Sequence, residues 1–154
     1  MNENVVIKRG TEIELDIESL AYGGKGVAKT NNFVIFVKNA IPGQKVLARI
    51  YKKRKGYAEA SIKEILKESK HAEKVQCNHY YICSKLQSLS YNQQIIEKAN
   101  QVEDTFRRLG GFSKFSLDEK IASKQIFNYR NKMEFTFSPH RWVLDHEPVG
   151  VDRT

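Results

Sequence analysis

The chain has only two cysteines, Cys77 and Cys83, and they bracket His79 in the stretch CNHYYICSKLQ. Thiolates and an imidazole this close together are the ligand types of a zinc site, which needs four donors. The two thiols supply half of one. The other histidines, His71, His140 and His146, are scattered along the chain. The opening MNENVVIKRG has no apolar run of the kind that directs export. Two cysteines without an export signal point to a reducing cytoplasm, where a disulfide is disfavoured. Free thiols filling core space are the first expectation, with zinc or a disulfide well behind.

A second chemistry is carried by charge. The formal net charge of the 154 residues is +8, which implies an anionic partner, nucleic acid above all. Between residues 22 and 57 there is no acid, while Lys25, Lys29, Lys38, Lys45, Arg49, Lys52, Lys53, Arg54 and Lys55 all fall there. Tyr51 and Tyr57 bracket the densest cluster, YKKRKGY. Cations meet phosphates, and adjacent rings stack on unpaired bases. The candidate RNA-binding residues are therefore Lys25, Arg49, Tyr51, Lys52, Lys53, Arg54, Lys55 and Tyr57. The run GGKG lacks the spacing of a phosphate-cradling P-loop and reads as a glycine turn. Glu12, Glu14, Asp16 and Glu18 gather on one strand, which predicts a barrel acidic on one side and basic on the other. No stretch is long and apolar enough to span a bilayer, so no membrane partner is expected.

Short strands must position these groups. In TEIELDIESL, Ile13, Leu15 and Ile17 alternate with acids, the period of a strand with one buried face. Gly23 and Gly24 supply a turn, and Gly26 a bulge or tight bend. A second strand is predicted around 33–37, a turn at Pro42-Gly43, and strands near 45–51 and 57–66 flanking the basic tip. Together they predict a small antiparallel barrel over residues 1–67. Residues 68–90 read as a polar connection. From 91 the spacing of Tyr91, Ile95, Ala99, Val102, Phe106 and Leu109 predicts a helix, with Ser90 as N-cap and Gly110-Gly111 as its stop. Strands are predicted at FSLDEKIA and NKMEFTF, and a core or domain-contact role for Trp142. The end at EPVGVDRT, with no closing element, predicts a chain cut from a longer one.

Three segments carry a family resemblance. LAYGGKGVAK with FVIFVKNAIPGQKVLARIYKKRKGYAEASIKEIL resembles the TRAM domain, a small RNA-binding barrel. C-x5-C-x2-L-Q followed by Tyr91, Gln94 and Lys98 resembles the stretch after that domain in RNA uracil-5-methyltransferases. NYRNKMEF, residues 128–135, resembles the start of their central domain, and adds Arg130 and Lys132 to the candidate RNA contacts.

The resemblance implies S-adenosylmethionine-dependent methylation at C5 of uridine in ribosomal or transfer RNA. In such enzymes a cysteine adds to C6 of the base and an acid removes the C5 proton, both from a later Rossmann-like domain. Neither Cys77 nor Cys83 matches that nucleophile, so no catalytic residue is assigned here. Many members hold an iron–sulfur cluster through C-x5-C-G-G-C and a fourth cysteine. Here Ser84, Lys85 and Leu86 replace the two glycines and the third cysteine. No metal or iron–sulfur cluster is expected, and packing around Leu86, Tyr80 and Tyr81 is expected instead.

The fold class expected is thus mixed β and α+β: a five-stranded OB-like TRAM barrel over 1–67, a connection over 68–90, then a helix and the opening strands of a truncated α+β domain over 91–154. The expected role is RNA recognition for a methyltransferase whose cofactor and catalytic groups lie elsewhere. The alternative is a stand-alone RNA-binding module.

Overall fold

The computed structural model describes residues 7–30, 33–135, 137–143, 147 and 150, with backbone alone at Ile82 and Cys83. Expectations resting on the Cys83 thiol, on His146 or on the closing residues 151–154 lie outside the described residues.

Six strands form one sheet: β1 (Glu12–Asp16), β2 (Ser19–Leu20), β3 (Gly26–Thr30), β4 (Phe33–Lys38), β5 (Lys45–Lys53) and β6 (Tyr57–Lys67), in the order β1-β5-β6-β4-β3-β2. β1 and β2 are two halves of one bent strand. Ile17 N–H donates to Gln44 O at 2.9 Å on the β5 side, and the next amide, Glu18, donates to Val27 O at 2.8 Å on β3. The order therefore begins and ends on the same strand, and the sheet closes into a barrel. Counted this way it has five strands, as expected. Five strands cannot alternate direction all round a closed ring, so one neighbouring pair runs parallel. That pair is β4 and β6, where the sequence reading expected antiparallel strands throughout.

Closure brings backbones close at Gly26. A Cβ there would lie 2.8 Å from Ala40 Cβ and 2.9 Å from Ile17 Cγ2, so only glycine fits without a shift. The interior follows the period of two. Ile13, Leu15, Ile17, Ile35, Val37, Val46 and Ile50 point inward, with Ala28, Ala48, Ala58 and Ala60 filling the narrow centre. A second cluster, Leu20, Ile41 and Leu89 with Leu86 against it, joins the barrel to the connection.

The connection is packed rather than loose. Ser69 Oγ donates to Pro42 O at 2.6 Å, and Ala72 bridges Leu89. A short helix, α1 (Tyr80–Cys83), precedes the long helix α2 (Tyr91–Arg108). α2 meets β2 through polar groups. Buried Glu97 accepts the Leu20 N–H at 3.2 Å, and Gln101 Nε2 donates to Leu20 O at 3.1 Å. Gln94 Nε2 donates to Leu86 O and Leu89 O, giving it a structural role. Of the predicted apolar stripe, Ala99 is buried, while Val102, Phe106 and Leu109 are exposed.

Past Arg108 the described residues form no helix or strand, so the strands expected at FSLDEKIA and NKMEFTF are not formed among them. A strand needs a neighbour to satisfy its amides, and a closed barrel offers no free edge. The chain instead runs back along α2 as an irregular strap. Arg107 Nη2 donates to Phe115 O at 3.1 Å, and Ser123 N–H donates to Tyr91 Oη at 2.8 Å near the other end of the helix. Phe115 stacks on Phe106 with ring centroids 4.3 Å apart. Trp142 is exposed rather than in a core. Arg107 and Arg108 form i,i+4 pairs with Glu103 and Asp104.

Candidate nucleic-acid interface

The outward residues of β3, β4, β6 and β5 form the face that carries most of the candidate binding residues. Its organisation depends on a bulge in β5. Ile50 lies opposite Ala60 and Lys52 opposite Glu59, leaving Tyr51 as an extra residue. In a regular strand, neighbours 51 and 52 would face opposite sides. The bulge turns both outward, and both reach one acid: Tyr51 Oη donates to Glu59 Oε2 at 3.0 Å and Lys52 Nζ to Glu59 Oε1 at 2.6 Å. Lys25, at the end of the glycine loop, donates to Glu59 Oε2 at 2.5 Å.

Glu59 is 8% exposed although it sits on the outer face, because these three side chains cover it. Its carboxyl is held down at about 2 by the Lys25 and Lys52 hydrogen bonds, against the opposing effect of burial. Burial, and next the bond to Glu59, pushes the Tyr51 phenol up. Directly across from Glu59 on β4 is Phe36, whose ring meets that of Tyr57 edge-to-face at 5.6 Å. An aromatic pair thus adjoins two tethered ammonium groups.

The tip is different in kind. Arg54 N–H donates to Tyr57 O at 2.8 Å and closes the β5–β6 turn. Lys53, Arg54 and Lys55 are exposed there, and they make no ion pair among the described residues; neither does exposed Arg49. The other loop on this side, 21–25, holds Tyr22, which is 96% exposed. It is braced from below: Lys85 Nζ donates to Gly23 O at 3.4 Å, and Lys85 Cβ lies 3.3 Å from where a Cβ on Gly24 would stand.

The sequence reading thus picked Lys25, Arg49, Tyr51, Lys52, Lys53, Arg54, Lys55 and Tyr57, and the barrel gathers them on one face and its tip. It missed Phe36 and Glu59. Phe36 was hidden in an unbroken apolar run, where strand alternation alone marks it as outward between Ile35 and Val37. Glu59 stands two residues beyond the acid-free stretch, on the same side of β6 as Tyr57. Arg130 and Lys132 lie in the exposed strap, where Lys132 pairs with Glu134 at 3.3 Å; no described contact joins them to the barrel face. Lys38 Nζ sits over the Tyr81 ring, 5.9 Å from its centroid. The predicted acidic flank is partly neutralised, by Lys45 on Glu14 at 2.8 Å and Lys29 on Glu18 at 3.7 Å.

Among the described residues, which leave out the Cys83 side chain, no three His, Cys, Asp or Glu side chains come together as a metal site would need. Cys77 is exposed, which corrects the expectation that its thiol fills core space. Gln87 Oε1 accepts the amides of Gln76 and Cys77 and ties the segment back on itself. Leu86, at the third ligand position, packs against Leu20, Ile41 and Leu89. A four-thiolate cluster does not fit a site whose third corner is an apolar contact.

Residues 7–63 match the TRAM domain family. Over most of its length the chain is similar to bacterial proteins named as uncharacterized RNA methyltransferases. It is 39% identical over 130 residues to one from Bacteroides thetaiotaomicron, covering 83% of this chain and 29% of that protein. It is 37% identical over 136 residues to one from Listeria monocytogenes, covering 86% and 29%. It is 31% identical over 131 residues to one from Aquifex aeolicus, covering 84% and 31%. The chain spans about three-tenths of the length of these relatives.

Proposed function

We propose that this chain, a TRAM domain with a helix and strap behind it, is the RNA-recognition portion of an S-adenosylmethionine-dependent RNA uracil-5-methyltransferase acting on ribosomal or transfer RNA in the cytoplasm. The observation that carries the RNA reading is the coincidence, on one barrel face, of the Phe36–Tyr57 pair with Lys25, Lys52 and Tyr51, beside a tip of three exposed cations that make no ion pair among the described residues. Rings take unpaired bases and the tip takes phosphates. OB-type barrels bind oligonucleotides on this same strand face and on the two loops beside it. The similarity to proteins named RNA methyltransferases supports the enzymatic context.

The methyl donor would need a doubly wound sheet with its nucleotide-binding crevice. The described residues after Lys67 are α1, α2 and an irregular strap, which do not fit it. No methyl-transfer step is assigned to this chain, and alone it is expected to be inactive. No helix among the described residues is long and apolar enough to cross a membrane.

The test is titration of a fluorescent single-stranded oligoribonucleotide across a range of salt. The triple variant K53A/R54A/K55A should bind more weakly and flatten the slope of log K against log salt by about 2, at roughly 0.7 per lost phosphate contact. A variant that binds with the parent's affinity and slope removes the tip from the interface.

A further inference from the structure

A single acid stands in the middle of the cationic face. A buried carboxylate persists only where partners compensate its lost hydration, and Glu59 takes three, drawn from the glycine loop and from two successive positions of β5. A face built only to gather phosphate would carry a neutral or basic residue there. Each of the two ammonium groups is instead bound at 2.5 or 2.6 Å to a carboxylate oxygen. A phosphate must displace that bond to claim the lysine fully, and two cations sharing one anion present a single net charge. The same carboxylate fixes the Tyr51 hydroxyl, and it lies in register with Phe36. At the tip, by contrast, Lys53, Arg54 and Lys55 have no acid partner among the described residues.

Resting on the RNA-binding reading above, we propose that Glu59 is a selectivity residue. It withholds Lys25 and Lys52 from phosphate groups, so that the centre of the face accepts the rings of unpaired bases on Phe36, Tyr57 and Tyr51. Phosphate contact is confined to the tip. A duplex keeps its bases stacked inside and offers such a face little besides phosphate. The buried acid thus acts against the wrong ligand more than for the right one.

The test compares the parent chain with Glu59→Gln, which keeps the side chain's shape, for binding of a single-stranded oligoribonucleotide and of a duplex of equal length, each across salt. Freeing two cations should tighten binding to both, and to the duplex more. The duplex salt slope should steepen by about 1–2, at roughly 0.9 per added phosphate contact, and the preference for the single strand should fall several-fold. A variant with the parent's slopes and preference, or with weaker binding to both RNAs, overturns the proposal while leaving the RNA reading standing. A parent that binds neither RNA in dilute buffer overturns both. Because the substitution can also perturb folding, the unaltered chain supplies a second measurement, the side-chain nitrogen resonances of Lys25 and Lys52. They should keep the signature of their Glu59 bonds when single-stranded RNA binds. Their transfer to phosphate contacts on binding would overturn the proposal.

Discussion

In the barrel, Ile35, Val37, Val46 and Ile50 are at most 1% exposed; in α2 and its strap, Val102, Phe106, Phe112 and Ile121 are between 41% and 88% exposed. Both regions carry apolar periodicity, yet only one converts it into a core. A period of two in consecutive strands specifies its own partner, because each strand pairs with others of the same short segment. A period of 3.6 specifies a face but not what covers it. α2 is held to the barrel by Glu97 and Gln101 on the backbone of β2, so its apolar stripe is not what anchors it. The barrel's stability is hydrophobic, and the helix attachment is mainly hydrogen-bonded.

Truncating a large side chain in each region should break that symmetry most strongly. Ile35 has no exposed surface and lies in the barrel's central cluster. Ile35→Ala should cost about 3–4 kcal/mol, from lost transfer energy and the cavity left in a closed interior. Phe106 touches Phe112 and Phe115 but keeps 42% of its surface in water. Phe106→Ala should cost about 1 kcal/mol or less, since a half-exposed contact leaves no sealed cavity. Urea denaturation of both variants measures the difference. Equal losses would mean that the helix and strap are as tightly packed as the barrel.

Acid sharpens the comparison within the barrel. The Glu59 carboxyl is depressed from about 4.5 to about 2 in the folded chain. A depressed acid stabilises the fold above its unfolded value, and that contribution is lost as pH falls through the folded value. The stability gap between the parent and Glu59→Gln should therefore be constant above about pH 5.5 and close progressively between about pH 4.5 and 2. Its size at neutral pH should be on the order of 1–2 kcal/mol, because the two lysines are 41% exposed and solvent screens them. A gap independent of pH would show that the carboxylate charge contributes nothing to the fold.

What could be read from residues alone follows the same division. The alternation at Ile13, Leu15 and Ile17, the glycine turn before Gly26 and the cationic tip are local signals, and each lies where its pattern placed it. The parallel β4–β6 pair is not local: it follows from closing an odd number of strands, which no single segment encodes. The bulge that turns Tyr51 and Lys52 the same way depends on the partner register. Glu59 belongs to the site only because folding brings Lys25 from 34 positions away. The described residues of the segments 115–122 and 131–135 have strand-like composition but no edge to pair with among the described residues, so their propensity is unexpressed.

The start of α2 gives the smallest expected effect. Ser90 has the residue type and position of an N-cap, for which replacement by alanine ordinarily costs about 1 kcal/mol through loss of a hydroxyl bond to the first turn. Here its backbone is extended as a cap requires, yet its side chain makes no cap hydrogen bond. Its fixed interactions are through the main chain: Ser90 N–H donates to His71 O at 2.8 Å, and Gln94 N–H donates to Ser90 O at 2.9 Å. Both survive substitution. The entry to the helix is further held by Gln94, whose side chain bonds the carbonyls of Leu86 and Leu89. Ser90→Ala should therefore shift the urea midpoint by no more than the equivalent of about 0.3 kcal/mol, whereas Gln94→Ala, which leaves two carbonyls without that donor, should cost about 1 kcal/mol. The reverse ranking would return the start of α2 to hydroxyl capping and remove the distinction between a helix that caps itself and one seated by its connection to the barrel.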